Sequence, residues 1–354
     1  RIRTILKTIE ITDHVIGPGY PCFIIAEAGV NHNGSLEMAL KLVDAAKSAD
    51  ADAVKFQTFI AEKVVSPAAS KAEYQKKMTD KDQSQFEMIK QLELTFSDFK
   101  IISDHCQEKG IIFLSTPFDE ESADFLEEIM VQAFKMGSGE LTNLTFQAYV
   151  AHKGKPMIVS TGMANMDEVS LVVQTIRENG NPDLILLHCT SNYPASIENV
   201  NLRAMHTLRD SFEVNVGYSD HTQGIEIPIA AAALGACVIE KHFTLDRRMQ
   251  GPDHTASIEP EQLKQLVASV RKVESALGDG VKKPVFEELD TARVARKSLH
   301  VRHDLRKGHT LEAADLIALR PGDGISPSKM QDVIGRTLNK NISTGCMLTE
   351  EDFD

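Results

Sequence analysis

Residues 217–246 read GYSDHTQGIEIPIAAAALGACVIEKHFTLD. They carry two polar clusters, Ser219-Asp220-His221 and Glu240-Lys241-His242, on either side of a small-residue apolar segment. Each cluster follows a β-like run, Val214–Tyr218 and Cys237–Ile239, and the Ala-rich segment Glu226–Leu234 suits a tightly packed helix. The pattern predicts a parallel β-α-β unit that delivers His221 and His242 just past two strands, at one end of a sheet. Two imidazoles at neighbouring strand ends can share one divalent metal. Each could instead cap its strand through hydrogen bonds. The acids beside both favour a metal or catalytic site.

The other chemistry-bearing residues also follow short apolar runs. Glu27 is a candidate general acid/base or water-orienting group; its alternative is a satisfied interior carboxylate. Lys55 and Lys135, with the hydroxyls of Ser138, Ser160 and Ser219, suit a phosphorylated or carboxylated anion. The same lysines could pair with Glu27 and Glu140 as salt bridges. Ser115 and Thr116, then Ser191, Asn192 and Tyr193, stand at further strand ends. GSGE and STGM do not match a P-loop.

The elements that must position these groups recur. Strand candidates are Phe23–Ala26, Ala53–Phe56, Ile111–Ser115, Ala133–Met136, Met157–Ser160, Leu184–His188, Val214–Tyr218 and Cys237–Glu240. Between them run stretches of helical period, so the chain reads as a (β/α)8 TIM barrel with its active site at the strand C-terminal ends. Ser35 is set to cap a helix over Leu36–Ser48, and Ser97 one that Gly110 stops. Met166–Glu178 ends in the turn Asn179-Gly180-Asn181-Pro182, and Glu259-Pro260 opens a helix to Leu277. Ile60–Leu94 is too long for a plain βα loop and reads as a lid or a helical excursion. The barrel domain spans 1–281 with a hairpin arm in 1–20, followed by a linker over 282–291. Residues 292–354 form a small β-rich domain, with strands at Ser298–Val301 and Leu316–Leu319.

The length of 354 residues accommodates both domains. A net charge of −13 argues against nucleic-acid binding, yet leaves room for a local basic pocket. No apolar run reaches the ~18 residues of a membrane span. The five scattered cysteines lack C-x-x-C spacing and read as reduced thiols of a cytoplasmic protein. Residues 1–17 lack the apolar core and cleavage site of a signal peptide.

The motifs AEAGVNHNGS, VKFQTF, KAEYQ, FLSTPFD, FKMGSGE, IVSTGM, LLHCTSNYP, GYSDHT, EKHFTLD, GPDH and RPGDGISP stand in this order. Together they resemble the sialic-acid synthase family over nearly the whole chain, and the tail resembles its SAF, or antifreeze-like, domain. The resemblance implies a transferase that condenses phosphoenolpyruvate with an N-acylated mannosamine-type aldehyde, giving a nine-carbon 2-keto acid and releasing phosphate by C–O cleavage. It implies that His221 and His242 hold a divalent metal, usually Mn²⁺, with Mg²⁺ or Co²⁺ as alternatives, and that Glu27 directs water. Phosphoenolpyruvate would be held by Lys55, Thr116, Lys135, Ser138, Ser160 and Ser219. Ser191, followed by Asn192, stands where some members have Asn after HCT and takes a further anion contact. Glu140, Tyr193 and Asp253 would contact the sugar, and Arg320 its N-acyl group, from the partner's tail in a domain-swapped homodimer. The sugar is N-acetylmannosamine, giving N-acetylneuraminate, or a 2,4-diacetamido-trideoxy-mannose, giving a legionaminate. A metal-dependent pyruvate aldolase and a non-catalytic sugar-binding protein are the competing readings.

Overall fold

The computed structural model describes residues 6–71, 79 and 83–354. Two compact units divide the chain, one through Gly278 and one from Asp279 to Asp354. The first opens on an antiparallel hairpin, β1 (Ile9–Ile11) and β2 (His14–Ile16), the arm expected within 1–20. Eight parallel strands follow: β3 (Phe23–Gly29), β4 (Ala53–Thr58), β5 (Ile112–Pro117), β6 (Phe134–Met136), β7 (Met157–Ser160), β8 (Leu184–Cys189), β9 (Asn215–Asp220) and β10 (Val238–His242). Their order is β5-β4-β3-β10-β9-β8-β7-β6, and β5 and β6 stand side by side, so the sheet curls into the expected barrel.

Strand alternation sorts the side chains. Ile24, Ala26, Val54, Phe56, Phe134 and Met136 pack outward into the core beneath the helices. Phe23, Ile25, Ala53, Leu114, Ala133 and Ile158 point inward at the strand starts, where Ile9, Ile11 and Ile16 of the hairpin pack on them. The hairpin therefore closes the N-terminal end of the barrel. Two residues beyond Ile25, Ala53, Leu114, Ala133 and Ile158, the same face carries a polar one: Glu27, Lys55, Thr116, Lys135 and Ser160. The site is built on this upper layer.

Ser35 caps Leu36–Ser48 by accepting from the Met38 amide, and Gly110 ends Phe96–Lys109 at φ 68°. The cap of the latter helix is Thr95 rather than Ser97. Thr95 and Asp98 form a reciprocal capping box, which satisfies two amides where Ser97 inside the helix could satisfy none. Several strands run one or two residues further than their apolar runs. His242 is accordingly the last residue of β10, not a residue past it, while His221 directly follows β9. The excursion after β4 contains the helices Ala61–Val64 and Gln85–Leu92. Most of the KAEYQ motif lies outside the described residues.

In the second unit, β11 (Ser298–Val301) pairs antiparallel with β12 (Leu316–Leu319) over its own core, which includes Leu299, Val301, Leu338 and Leu348. The segment read as a linker over 282–291 is partly ordered: a 3-10 turn at Phe286–Glu288 leads into the helix Leu289–Ala295. The backbone amide of Val285 donates to Glu288 there, a local cap that charge and proline content hid. Among the described residues, no helix is long and apolar enough to cross a membrane.

Candidate active site

A cavity of about 690 Å³ opens among the C-terminal strand ends. That size suits a small-molecule site. Lys55, on β4, lies 2.7 Å from the Glu27 Oε2 of β3 and donates to Thr116 Oγ1 of β5 at 3.0 Å. Lys135, on β6, donates to Ser160 Oγ of β7 at 2.7 Å. Between the two ammonium groups sits Glu240, 3.4 Å from Lys135 and 3.7 Å from Lys55, and it accepts from Ser219 Oγ at 3.0 Å. The pairing considered between Lys135 and Glu140 does not form. Glu240 takes that place because it points inward from β10, whereas the Glu140 carboxylate accepts from Asn143 Nδ2.

These charges are almost wholly shielded from water, so their neighbours decide their protonation. Burial pushes Glu27 up, Lys55 opposes it and the Glu240 charge adds to it, leaving a pKa of about 7. Burial also opposes the charge on Glu240, but Lys135 and Lys55 outweigh it and bring the pKa to about 2. Burial draws Lys135 below the ordinary lysine value, partly offset by Glu240. Burial works against the charge on Lys55 as well, but Glu240 and Glu27 together outweigh it and raise the pKa. Burial raises Asp253, also on the cavity wall, to about 6.

The anion side extends to Ser138 and Ser191. Both hydroxyls crowd Gly162, where an added Cβ would stand 2.2 Å from Ser191 Oγ and 2.8 Å from Ser138 Oγ. The Gly162 amide donates to Ser138 Oγ at 3.0 Å, so STGM supplies a backbone that only glycine lets approach.

Opposite lie the two histidines, with ring centroids 5.3 Å apart. Tyr193 covers both, 4.1 Å from His221 and 5.8 Å from His242. His221 Nδ1 lies 2.8 Å from the Thr190 carbonyl and donates to it, which leaves Nε2 to offer a lone pair. Burial and the adjacent His221 hold His242 well below the ordinary histidine range, and its Nδ1 is buried without a hydrogen-bond partner. Burial favours neutral His221 as well, but the Cys189 thiol and the Thr190 carbonyl outweigh it and raise its pKa. A cation there must displace a proton at low pH. Among the described residues no group of three or more His, Cys, Asp or Glu converges on one point. The donor set is therefore two imidazoles, one with an orphaned nitrogen. That set fits a divalent ion whose remaining positions are open to water or substrate.

Of the residues predicted from sequence, Glu27, Lys55, Thr116, Lys135, Ser138, Ser160, Ser191, Tyr193, Ser219, His221, His242 and Asp253 all line this cavity. Glu140 does not line it. Arg320 belongs to the second unit, where its Nε donates to the Ala295 carbonyl at 3.0 Å. Sequence reasoning gave no role to Glu240, although it stands two residues before His242 and so must share its face. Gln57, which donates to Glu27 Oε1 at 3.2 Å, was likewise signalled by its i+2 spacing from Lys55.

The NeuB family model matches residues 42–282, and the SAF domain model matches 296–354. The chain is 49% identical over 342 residues to the N,N'-diacetyllegionaminic acid synthase of Legionella pneumophila, covering 96% of each chain. It is 46% identical to the protein of that name from Campylobacter jejuni, covering 92% of this chain and 98% of the relative. The crystal structure of N-acetylneuraminic acid synthetase from Leptospira borgpetersenii superposes with a TM-score of 0.71 at 36% identity, covering 81% of this chain and 95% of that one. A barrel matched over most of its length, a matched tail and relatives aligned almost end to end lead to one assignment: this chain belongs to the NeuB family.

Proposed function

We propose that this chain is a nonulosonic-acid synthase that condenses phosphoenolpyruvate with an N-acylated amino-sugar aldehyde. One observation carries the reading: two buried lysines with their hydroxyl partners face two histidines across one cavity, and Glu27 joins the two sides. Lys55 and Lys135, helped by Thr116, Ser138, Ser160, Ser191 and Ser219, hold the phosphate and carboxylate of phosphoenolpyruvate. His221 and His242 hold a divalent cation, Mn²⁺ foremost, which when bound supplies Lewis-acid polarisation of the aldehyde oxygen. The enol carbon forms a bond to the aldehyde carbon and leaves a cationic centre at C2. The aldehyde oxygen takes up a proton and becomes a hydroxyl. Glu27 takes a proton from water as the water adds at C2. The C–O bond to phosphate then breaks, its electron pair leaving on phosphate while the C2 hydroxyl gives up its proton and becomes the keto carbonyl. The two lysines offset the negative charge that stays on the phosphate.

The cavity also supports a finer choice of sugar. Beyond the charged layer its wall is mostly apolar, with Val30, Phe59, Met88, Leu92 and Phe118 clustered at the excursion after β4, beside Ser66 and Gln85. Such a wall suits a deoxy sugar carrying a second acetamido group better than one with more hydroxyls. We therefore assign 2,4-diacetamido-trideoxy-mannose as the substrate and N,N'-diacetyllegionaminate as the product. The test is phosphate release from phosphoenolpyruvate and Mn²⁺ with each sugar in turn. We expect a higher kcat/KM for the diacetamido sugar and no turnover after chelation. A preference for N-acetylmannosamine would overturn the sugar, and full activity in chelator the metal. Turnover of pyruvate without phosphate release would replace the synthase with an aldolase.

The proposal includes a domain-swapped homodimer in which Arg320 reaches the N-acyl group of substrate in the partner's barrel. Support comes from the exposed apolar residues Val285, Phe286, Leu289 and Val294 at the start of the second unit; Phe286 is 83% exposed. A cytoplasmic setting is supported by the five cysteines, all free and four of them buried.

A further inference from the structure

Asp220 and Lys241 have no part in the chemistry above, yet each directly precedes one of the two histidines. They are register partners on β9 and β10. On the inward face the preceding rung is Ser219–Glu240, whose hydroxyl and carboxylate meet at 3.0 Å. Asp220 and Lys241 take the opposite face, on the side where Tyr218 and Ile239 join the core beneath the helices. Both side chains are fully buried, and Lys241 Nζ lies 2.5 Å from Asp220 Oδ2.

The carboxylate is saturated with donors. Oδ1 accepts from the Tyr218 hydroxyl and from the Thr222 amide, both at 2.9 Å. Oδ2 accepts from Lys241 and from Thr222 Oγ1 at 3.1 Å. Lys241 Nζ donates further to the Thr222 carbonyl. The network thus grips the residues on both sides of His221 and ties them to the residue before His242. A buried ion pair is weak grounds for stability, since well-packed apolar residues often serve as well or better. What an apolar pair lacks is direction. Five oriented contacts fix where the end of β9 stops relative to the end of β10.

We infer that Asp220 and Lys241 are positioning residues that set the spacing of His221 and His242 from behind, and so tune cation affinity at the pair. This rests on the reading of those histidines as metal ligands. The test is Mn²⁺ titration into chelator-treated full-length protein, followed by electron paramagnetic resonance of free Mn²⁺, with phosphoenolpyruvate binding measured separately by calorimetry. The double variant Asp220→Asn/Lys241→Met leaves no charge unpaired and should bind Mn²⁺ about 10- to 100-fold more weakly, as loss of an outer-shell partner does. Its affinity for phosphoenolpyruvate should fall much less, because Lys55 and Lys135 stand on β4 and β6 and of the anion contacts only Ser219 lies on the two altered strands. Tyr218→Phe removes one contact to Asp220 and carries the test if the double variant does not fold. It should weaken Mn²⁺ binding about fivefold, the worth of one hydrogen bond. Wild-type Mn²⁺ affinity in the folded variants, or an equal loss of both ligands, would overturn the positioning role alone. A wild-type protein that binds no Mn²⁺ would overturn the metal reading with it.

Discussion

Glu27 and Glu240 are the same residue type a few ångströms from the same lysine, and they are driven to opposite protonation. Glu240 lies between two ammonium groups and stays ionised at any working pH. Glu27 is buried beside one lysine and a repelling neighbour, so it titrates near neutrality. In the proposed reaction Glu240 is then a fixed counter-charge and Glu27 the proton acceptor. Because the base form is the active one, kcat/KM should rise as pH increases through about 7, with Glu27 deprotonating. Glu27→Gln should remove that limb and lower turnover by roughly 10²- to 10⁴-fold. A variant within tenfold of wild type, or one with the limb unmoved, would sink the assignment. Much of this layer was legible in the sequence, since Glu27, Lys55 and Lys135 each follow an inward apolar residue by two. The role of Glu240 was not, because it depends on reach across the barrel between β10, β4 and β6, which no local pattern records. The same gap made Glu140 look like a partner for Lys135.

At the scale of elements, the turns after β3 and β10 lock together beside the site. His32 lies in the first turn and His254 in the 3-10 turn His254–Ala256, and both are fully buried. His254 Nε2 meets Asn33 Oδ1 at 3.1 Å, and its Nδ1 meets Thr244 Oγ1 at 2.7 Å. Burial lowers both histidines to about 4. Between pH 4 and about 6.5 the unfolded chain therefore binds more protons than the folded one. Their contribution to stability is complete above pH 6.5 and is lost as pH falls toward 4. Urea midpoints measured across this window should fall with acid, and the fall should be shallower in His254→Gln. The same slope in that variant and in His32→Asn would show that the junction is not the acid-sensitive part. The strands and most helices were readable from period and caps, but this junction was not. It joins residues 33 and 254, neighbours only once the ring closes β10 against β3.

At the scale of the molecule, no arginine stands among the described residues that line the barrel cavity, and Arg320 belongs to the second unit. The route proposed for Arg320 is checked by mixing two inactive proteins, Arg320→Ala and Glu27→Gln. A swapped dimer should regain part of the lost turnover through hybrids with one intact site. No recovery, with sedimentation at the 39.0 kDa of one chain, would refute both the dimer and the exchange. The tail's strands were legible from the sequence, while its assembly depends on a second chain and leaves no periodic trace. The hairpin β1–β2 has a consequence for traffic. Ile9, Ile11 and Ile16 stopper the ring at the strand starts, so among the described residues the barrel cavity opens at the strand C-terminal ends. Two reactants and a water must enter, and a bulky acid and a phosphate must leave, through that opening. Each cycle must empty the cavity before it can be refilled, and a lingering product acts as a cork.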